Sequence, residues 1–170
     1  MTSLRTLAAA SALLLIAAVP VSAQQTIFVV RHAERADGGG GGMNTPATDP
    51  PLSAAGQERA ARLAKMLRSA DIRAIFTTEF IRTRQTTAPA AQALHLEAVA
   101  IPSNDPAAVI AKARAATGNV LIVGHSNTVP DLLMRLGIRG EIAIGDTEFD
   151  NLFVVVRPAV GDPTLVRLRY

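Results

Sequence analysis

The sequence predicts an α/β fold, a three-layer α/β/α sandwich with a mostly parallel central sheet. Three observations predict it. Residues 26–30 (Thr-Ile-Phe-Val-Val) and 119–123 (Asn-Val-Leu-Ile-Val) are short, β-branched and apolar, the pattern of strands buried on both faces. Segments with helical spacing of apolar residues alternate with such runs along the chain. Each of the two runs then stops at a polar pair, Arg31-His32 and Gly124-His125. Open α/β sheets bind ligands outside the carboxyl ends of their strands, so the two histidines are expected to converge there.

The first 23 residues read as a targeting segment and not as part of the fold. A short positive region holds Arg5, residues 6–19 are apolar, Pro20 breaks the run, and Val21-Ser22-Ala23 offers small residues for cleavage. The apolar stretch is short of the roughly 20 residues that span a bilayer. The expectation is a signal peptide over 1–23, cut after Ala23, and a periplasmic or secreted domain over 24–170. An uncleaved anchor is the alternative. The remaining 147 residues (170 less 23) suit one domain with a sizeable core.

Residues 36–51 form a Gly/Pro-rich loop, with five consecutive glycines at 38–42 and prolines at 46, 50 and 51. Such a stretch has little to bury. Ser53 suits the N-cap of a helix reaching about residue 69, with Ala60, Leu63, Ala64 and Leu67 as its apolar stripe. Residues 72–77 read as a strand. A helix then begins near Glu79, and Pro89 is expected to kink or restart it. Residues 96–100 suit a short strand and 105–116 a helix. Pro130 fits the first turn of a helix ending near Leu136. Residues 152–156 and 165–168 complete the sheet.

Composition excludes several functions. The chain has no cysteine, which removes disulfides, thiolate metal sites and a cysteine nucleophile. Lys65 and Lys112 are the only lysines among 17 basic residues, so the net charge of +3 is an arginine charge, and loss of Arg5 lowers it to +2. Planar guanidiniums hold phosphate and carboxylate by a fork; a GC-rich coding sequence gives the same bias. The arginines are scattered and not interleaved with aromatics, so nucleic acid is not an expected partner.

At one edge of the sheet the pattern gathers Arg31, His32, Glu34 and Arg35, then the segment Thr77-Thr78-Glu79-Phe80-Ile81-Arg82-Thr83-Arg84-Gln85-Thr86, then Gly124-His125-Ser126-Asn127. Two imidazoles among guanidiniums make a cationic pocket with no conventional metal set, suited to a tetrahedral dianion. An imidazole nitrogen can attack phosphorus and divide the transfer into two steps.

Taken with Pro51-Leu52-Ser53-Ala54-Ala55-Gly56, these pieces resemble the histidine phosphatase superfamily, the phosphoglycerate-mutase-like enzymes, from Ile27 to about Val156. The residues 30–34 (Val-Arg-His-Ala-Glu) stand for its Arg-His-Gly signature, with Ala33 in place of glycine. The resemblance implies that His32 is phosphorylated and that Arg31, Arg82 and His125 hold the phosphoryl group. It implies no cofactor and no metal, and a small phosphorylated substrate or a phosphoprotein as the partner. Relatives with a general acid often carry it in a long insertion, but here residues 97–105 leave little room, as in small bacterial phosphohistidine phosphatases. Glu34 is the expected proton donor, with Asp105 second.

Other readings stand beside these. His32 could be a core residue; His95, near a helix end, is read as structural. Arg82 could be a solvated helix residue, Arg35 a salt-bridge partner, Arg84 a surface residue, and Ser53 and Gly56 helix-start chemistry. A serine-hydrolase elbow at Ser126 fails, because Thr128 replaces the needed glycine and no histidine follows. His32 and Glu34 could begin a metal site, but no third ligand is evident. The expected function is a metal-independent phosphomonoester hydrolase working through phosphohistidine. A non-catalytic phosphate- or phosphosugar-binding relative and a phosphoglycerate-type mutase are the alternatives. Substrate identity and oligomeric state are not legible.

Overall fold

The computed structural model describes residues 24–38 and 49–170; the expected signal peptide and most of the Gly/Pro-rich loop lie outside them. The elements run β1 (Gln25–Arg31), α1 (Ala54–Met66), β2 (Ile72–Thr77), α2 (Ile81–Leu94), β3 (Ala98–Ala100), α3 (Pro106–Ala115), β4 (Asn119–Gly124), α4 (Thr128–Arg135), β5 (Asn151–Arg157) and β6 (Thr164–Arg169). One six-stranded sheet has the order β3-β2-β4-β1-β5-β6. Its first four strands are mutually parallel, and β5 and β6 add an antiparallel edge.

Strand side chains alternate between two cores, as the pleat requires. Ile27 and Val29 of β1, Val120 and Ile122 of β4, and Phe153 and Val155 of β5 face Val109, Ile110, Leu132 and Leu133 of α3 and α4. Val30, Leu121, Val123 and Leu152 face the other way, onto Leu63, Ala64 and Ala90 of α1 and α2. Both faces are thereby covered, which is why the central runs are continuously apolar and not alternating. The three layers and mostly parallel sheet expected from the sequence are present.

Local chemistry sets most boundaries. Ser53 caps α1 by accepting from the Gly56 amide, and Asp105 caps α3 by accepting from Ala108. His95 ends α2 in the left-handed conformation, with φ 54°, and is exposed, the structural role expected of it. One expectation is corrected in part: α2 does not restart at Pro89 but is a single helix across it. Packing decides there, since the next residue, Ala90, is fully buried against the sheet and α1, and tertiary contacts override local propensity.

Gly56 has a use beyond helix initiation. A Cβ at that position would lie 2.3 Å from the Glu34 carbonyl oxygen. The Ser53 amide donates to the same carbonyl at 2.9 Å. The start of α1 therefore presses directly on the backbone two residues past His32. Gly56→Ala is expected to destabilise the fold by about 1–3 kcal/mol, the usual cost of overpacking against a fixed neighbour. Denaturant unfolding of the two proteins measures it, and an unchanged midpoint would contradict the contact.

Candidate active site

The register of the two central strands assembles the site. β1 and β4 are parallel and pair Arg31 with Gly124, so the next residues, His32 and His125, emerge side by side. The His32 amide donates to the Gly124 carbonyl at 2.9 Å, extending the ladder one step. Their ring centroids are 5.3 Å apart. β2 lies on the other side of β4, and its end delivers Thr78 and then the first turn of α2, which carries Arg82. Four of the expected site residues thus meet: Arg31 and Arg82 are 1% exposed, His32 4% and His125 2%.

Each charged member is held. Arg31 donates from Nη1 to the carbonyls of Gly145, Asp146 and Glu148, at 2.9, 3.0 and 3.2 Å. Its guanidinium lies 4.1 Å from the centre of the Phe149 ring. Arg82 stacks in the same way on Phe80, at 4.2 Å, and donates from Nη1 to Asp49 at 3.1 Å. Phe80 also meets the His125 ring edge-on, with centroids 5.3 Å apart. Each histidine therefore has an arginine-bearing phenylalanine beside it, since Phe149 tilts against His32 at 6.1 Å. Cation–π contact gives a partly desolvated guanidinium a counter-charge that leaves its edge open to a ligand.

The hydrogen bonds orient the rings. His32 Nδ1 is 2.8 Å from the Ala33 carbonyl oxygen, which can only accept. Nδ1 therefore carries the hydrogen, and Nε2 keeps its lone pair. Ala33 is wholly buried, and its amide donates to the Thr86 hydroxyl at 3.0 Å, which fixes this turn to α2. Burial lowers the His32 pKa to about 3, with Arg82, Arg31 and Arg35 adding to the effect. Burial, His32 and the same arginines bring His125 to about 2. Both rings are thus neutral in ordinary buffers, as a nitrogen nucleophile must be.

The expected proton donors are engaged by other groups. Arg59 of α1 grips both Glu34 oxygens from Nε at 2.9 Å and adds an Nη2 bond of 2.6 Å. Burial by itself raises the Glu34 pKa, but the bonds from Arg59 outweigh it and hold the carboxyl below its usual range. Asp105 is spent on the α3 cap, and Glu79 accepts from Ser103. Arg35 is buried and paired with Asp37, and Arg84 is exposed. Among the described residues no group of three histidine or acidic side chains could hold a metal ion. Sequence reasoning gave no role to Asp49, Thr78, Phe80 or Phe149. Thr78 and Phe80 stood inside a quoted segment, whereas nothing local marks Asp49 or Phe149.

Two buried, neutral histidines make folding pH-dependent. Their folded pKa values, about 3 and about 2, lie below the ordinary histidine value, so between these limits the unfolded chain binds more protons than the native one. Stability is accordingly expected to fall as pH drops from about 6.5 toward 3. Thermal unfolding across that range checks this. His125→Ala should lose less on acidification than the parent, and an equal or greater loss would contradict the assignment.

Comparisons with known proteins bear on the fold and on part of the chain. Residues 27–103 match the family described as Histidine phosphatase superfamily (branch 1). No curated protein matches the chain significantly. The fold is similar to the protein histidine phosphatase SixA in complex with tungstate, at 21% identity and TM-score 0.64, covering 85% of this chain and 96% of that one. It is similar to a putative alpha-ribazole-5'-P phosphatase from Escherichia coli K-12, at 16% identity and TM-score 0.67, covering 86% and 96%. A phosphoglycerate mutase from Bacillus anthracis matches at 14% identity and TM-score 0.63, covering 87% and 94%. The matched residues 27–103 run from β1 through β3 and carry His32 and Arg82, so the part of the chain similar to that family holds two of the four buried site residues, in a fold similar to that of the solved phosphatases and mutases.

Proposed function

We propose that this chain is a metal-independent phosphatase that transfers a phosphoryl group to His32 and then to water. The observation that carries the reading is the pairing of a lone-pair-bearing His32 Nε2 with two buried guanidiniums and a second imidazole. Nε2 attacks phosphorus while the bond to the leaving group breaks, and the leaving group takes the bonding pair. Arg31, Arg82 and His125 surround the transferred oxygens, where guanidinium forks stabilise the charge that develops. Water then releases phosphate from His32. The residues 1–23 support export to the periplasm or beyond as part of the same proposal.

The leaving group narrows the substrate. All 14 carboxylates of the chain lie among the described residues, and none hydrogen-bonds to either imidazole. Glu34, fixed as a carboxylate by Arg59, is poorly suited to give a proton at neutral pH. The reading therefore favours groups that depart without a donor, namely aryl phosphates, acyl phosphates and phosphoramidates such as phosphohistidine in a protein. A mutase has to retain the intermediate and rebind a second phosphate, and the short segment over residues 97–105 favours access of water instead.

The test is phosphate release from a panel of phosphate compounds, with and without chelator, by wild type and His32→Ala. Wild type should be active in both conditions and the variant at least about 1000-fold slower, since nucleophile loss removes the covalent route. Equal activity in the two proteins would sink the proposal, and so would loss of activity on chelation. Glu34→Gln should leave the preference for good over poor leaving groups unaltered while lowering stability through Arg59. A selective loss on poor leaving groups would instead make Glu34 the donor.

A further inference from the structure

Thr78 and Thr83 are buried, at 6% and 0% exposure, and the reaction described above gives them no part. Their hydroxyls join His125 to the backbone. Thr78 Oγ1 lies 3.1 Å from His125 Nε2 and 2.8 Å from Thr83 Oγ1. Thr83 Oγ1 in turn lies 2.8 Å from the Phe80 carbonyl oxygen and 3.2 Å from that of Thr78.

Counting protons gives this chain a direction. A carbonyl cannot donate, so the single Thr83 proton goes to Phe80. Thr83 Oγ1 must then accept from Thr78, which spends the only proton Thr78 has. Thr78 therefore meets His125 as an acceptor, and Nε2 carries the hydrogen. The other side of the ring agrees independently. Arg82 Nη2, which can only donate, lies 3.4 Å from Nδ1, so Nδ1 presents its lone pair. The perpendicular Phe80 ring fixes the plane of the imidazole.

We propose that Thr78 and Thr83 are positioning residues that hold His125 in the Nε2–H tautomer, so that Nδ1 faces the phosphoryl site as a proton acceptor. This deepens, and rests on, the phosphohistidine reading. In the second half of the reaction the oxygen of water bonds to phosphorus as the bond from phosphorus to His32 Nε2 breaks, its electron pair returning to the ring. The proton of that water passes to His125 Nδ1, displacing the long 3.4 Å contact from Arg82 Nη2, which turns to the phosphoryl oxygens. Hydrogen phosphate and an imidazolium result, and the Nε2–H of that imidazolium is already bonded to Thr78. The proton departs to solvent with the product. The opposite tautomer would present N–H to the water and could not take its proton. With no carboxylate bonded to either ring, His125 is the base that the site provides.

Two measurements test this. Long-range proton–nitrogen correlation of the histidine rings in the wild-type protein at neutral pH should show His125 protonated on Nε2. Protonation on Nδ1 would overturn the proposal, and this measurement needs no variant to fold. With p-nitrophenyl phosphate, Thr78→Val should release one nitrophenolate per enzyme in a burst. Its steady rate should then be at least about ten-fold below wild type, because removing part of a proton-transfer apparatus slows the step that uses it. Phosphoenzyme should accumulate and be recoverable after alkaline quenching. Thr78→Ser, which keeps the hydroxyl, should restore the steady rate, and Thr83→Val should behave as Thr78→Val does. A folded Thr78→Val with the wild-type rate and no burst refutes the relay, as does a burst lost in proportion to the steady rate. If wild type forms no phosphoenzyme and His32→Ala is equally active, the parent reading fails instead.

Discussion

Two guanidiniums and two imidazoles are buried together at the end of one sheet, and most of the surrounding structure exists to make that tolerable. A buried cation costs several kcal/mol unless its donors are satisfied and its charge is opposed. Here the opposition is partly dipolar and partly ionic, with Asp146 near Arg31 and Asp49 on Arg82. Three carbonyls of the loop before β5 take Arg31, and phenylalanine faces lie under both arginines. Asp49 is the carboxylate that bonds to Arg82, and it also accepts from the Ile81 amide at the start of α2. Carbonyls and aromatic faces leave positive potential in place, so the pocket stays attractive to a dianion. Burial is the main reason the histidines stay unprotonated, and the same potential adds to it. Anion binding and a neutral nucleophile are therefore both favoured by one buried, cationic setting.

The fold and the meeting of the four residues were legible because they depend on patterns that survive in one dimension. Runs of β-branched residues give the central strands. The step from Arg31 to His32 at one strand end and from Gly124 to His125 at another gives the convergence, once the strands are parallel. What was illegible depends on side-chain direction. Glu34 sits two residues past His32, yet its carboxylate turns to Arg59, a residue 25 positions away. Phe149 and Asp49 reach the site from loops whose local sequence carries no periodic signal. Pro89 shows the converse case, in which a strong local signal yields to packing on the sheet.

The hydroxyl residues on α2 illustrate how a helix can serve a strand-borne site. Thr83 and Thr86 both return hydrogen bonds to their own helix, to Phe80 and Arg82, and both also accept from outside it. Thr86 receives the Ala33 amide and Thr83 the Thr78 hydroxyl. One helix face thus fixes the turn after the nucleophile and, through Thr78, the second imidazole. A valine at either place would keep the shape and lose the directional constraint.

β6 is an edge strand that is largely exposed, and it looks dispensable from its burial alone. Yet Arg169 and Arg167 hold Glu148, whose carboxylate closes the loop that grips Arg31. The Tyr170 carbonyl accepts from Arg59, the partner of Glu34. Both braces of the nucleophile strand are therefore contributed by the part of the chain farthest from it in sequence. The Glu148 braces are local, but the contacts they support are not: Arg59 and Tyr170 are 111 positions apart and Arg31 and Glu148 are 117. Loops of that length cost entropy to close, so the pocket depends on a terminal hairpin whose own pairing is cheap to form.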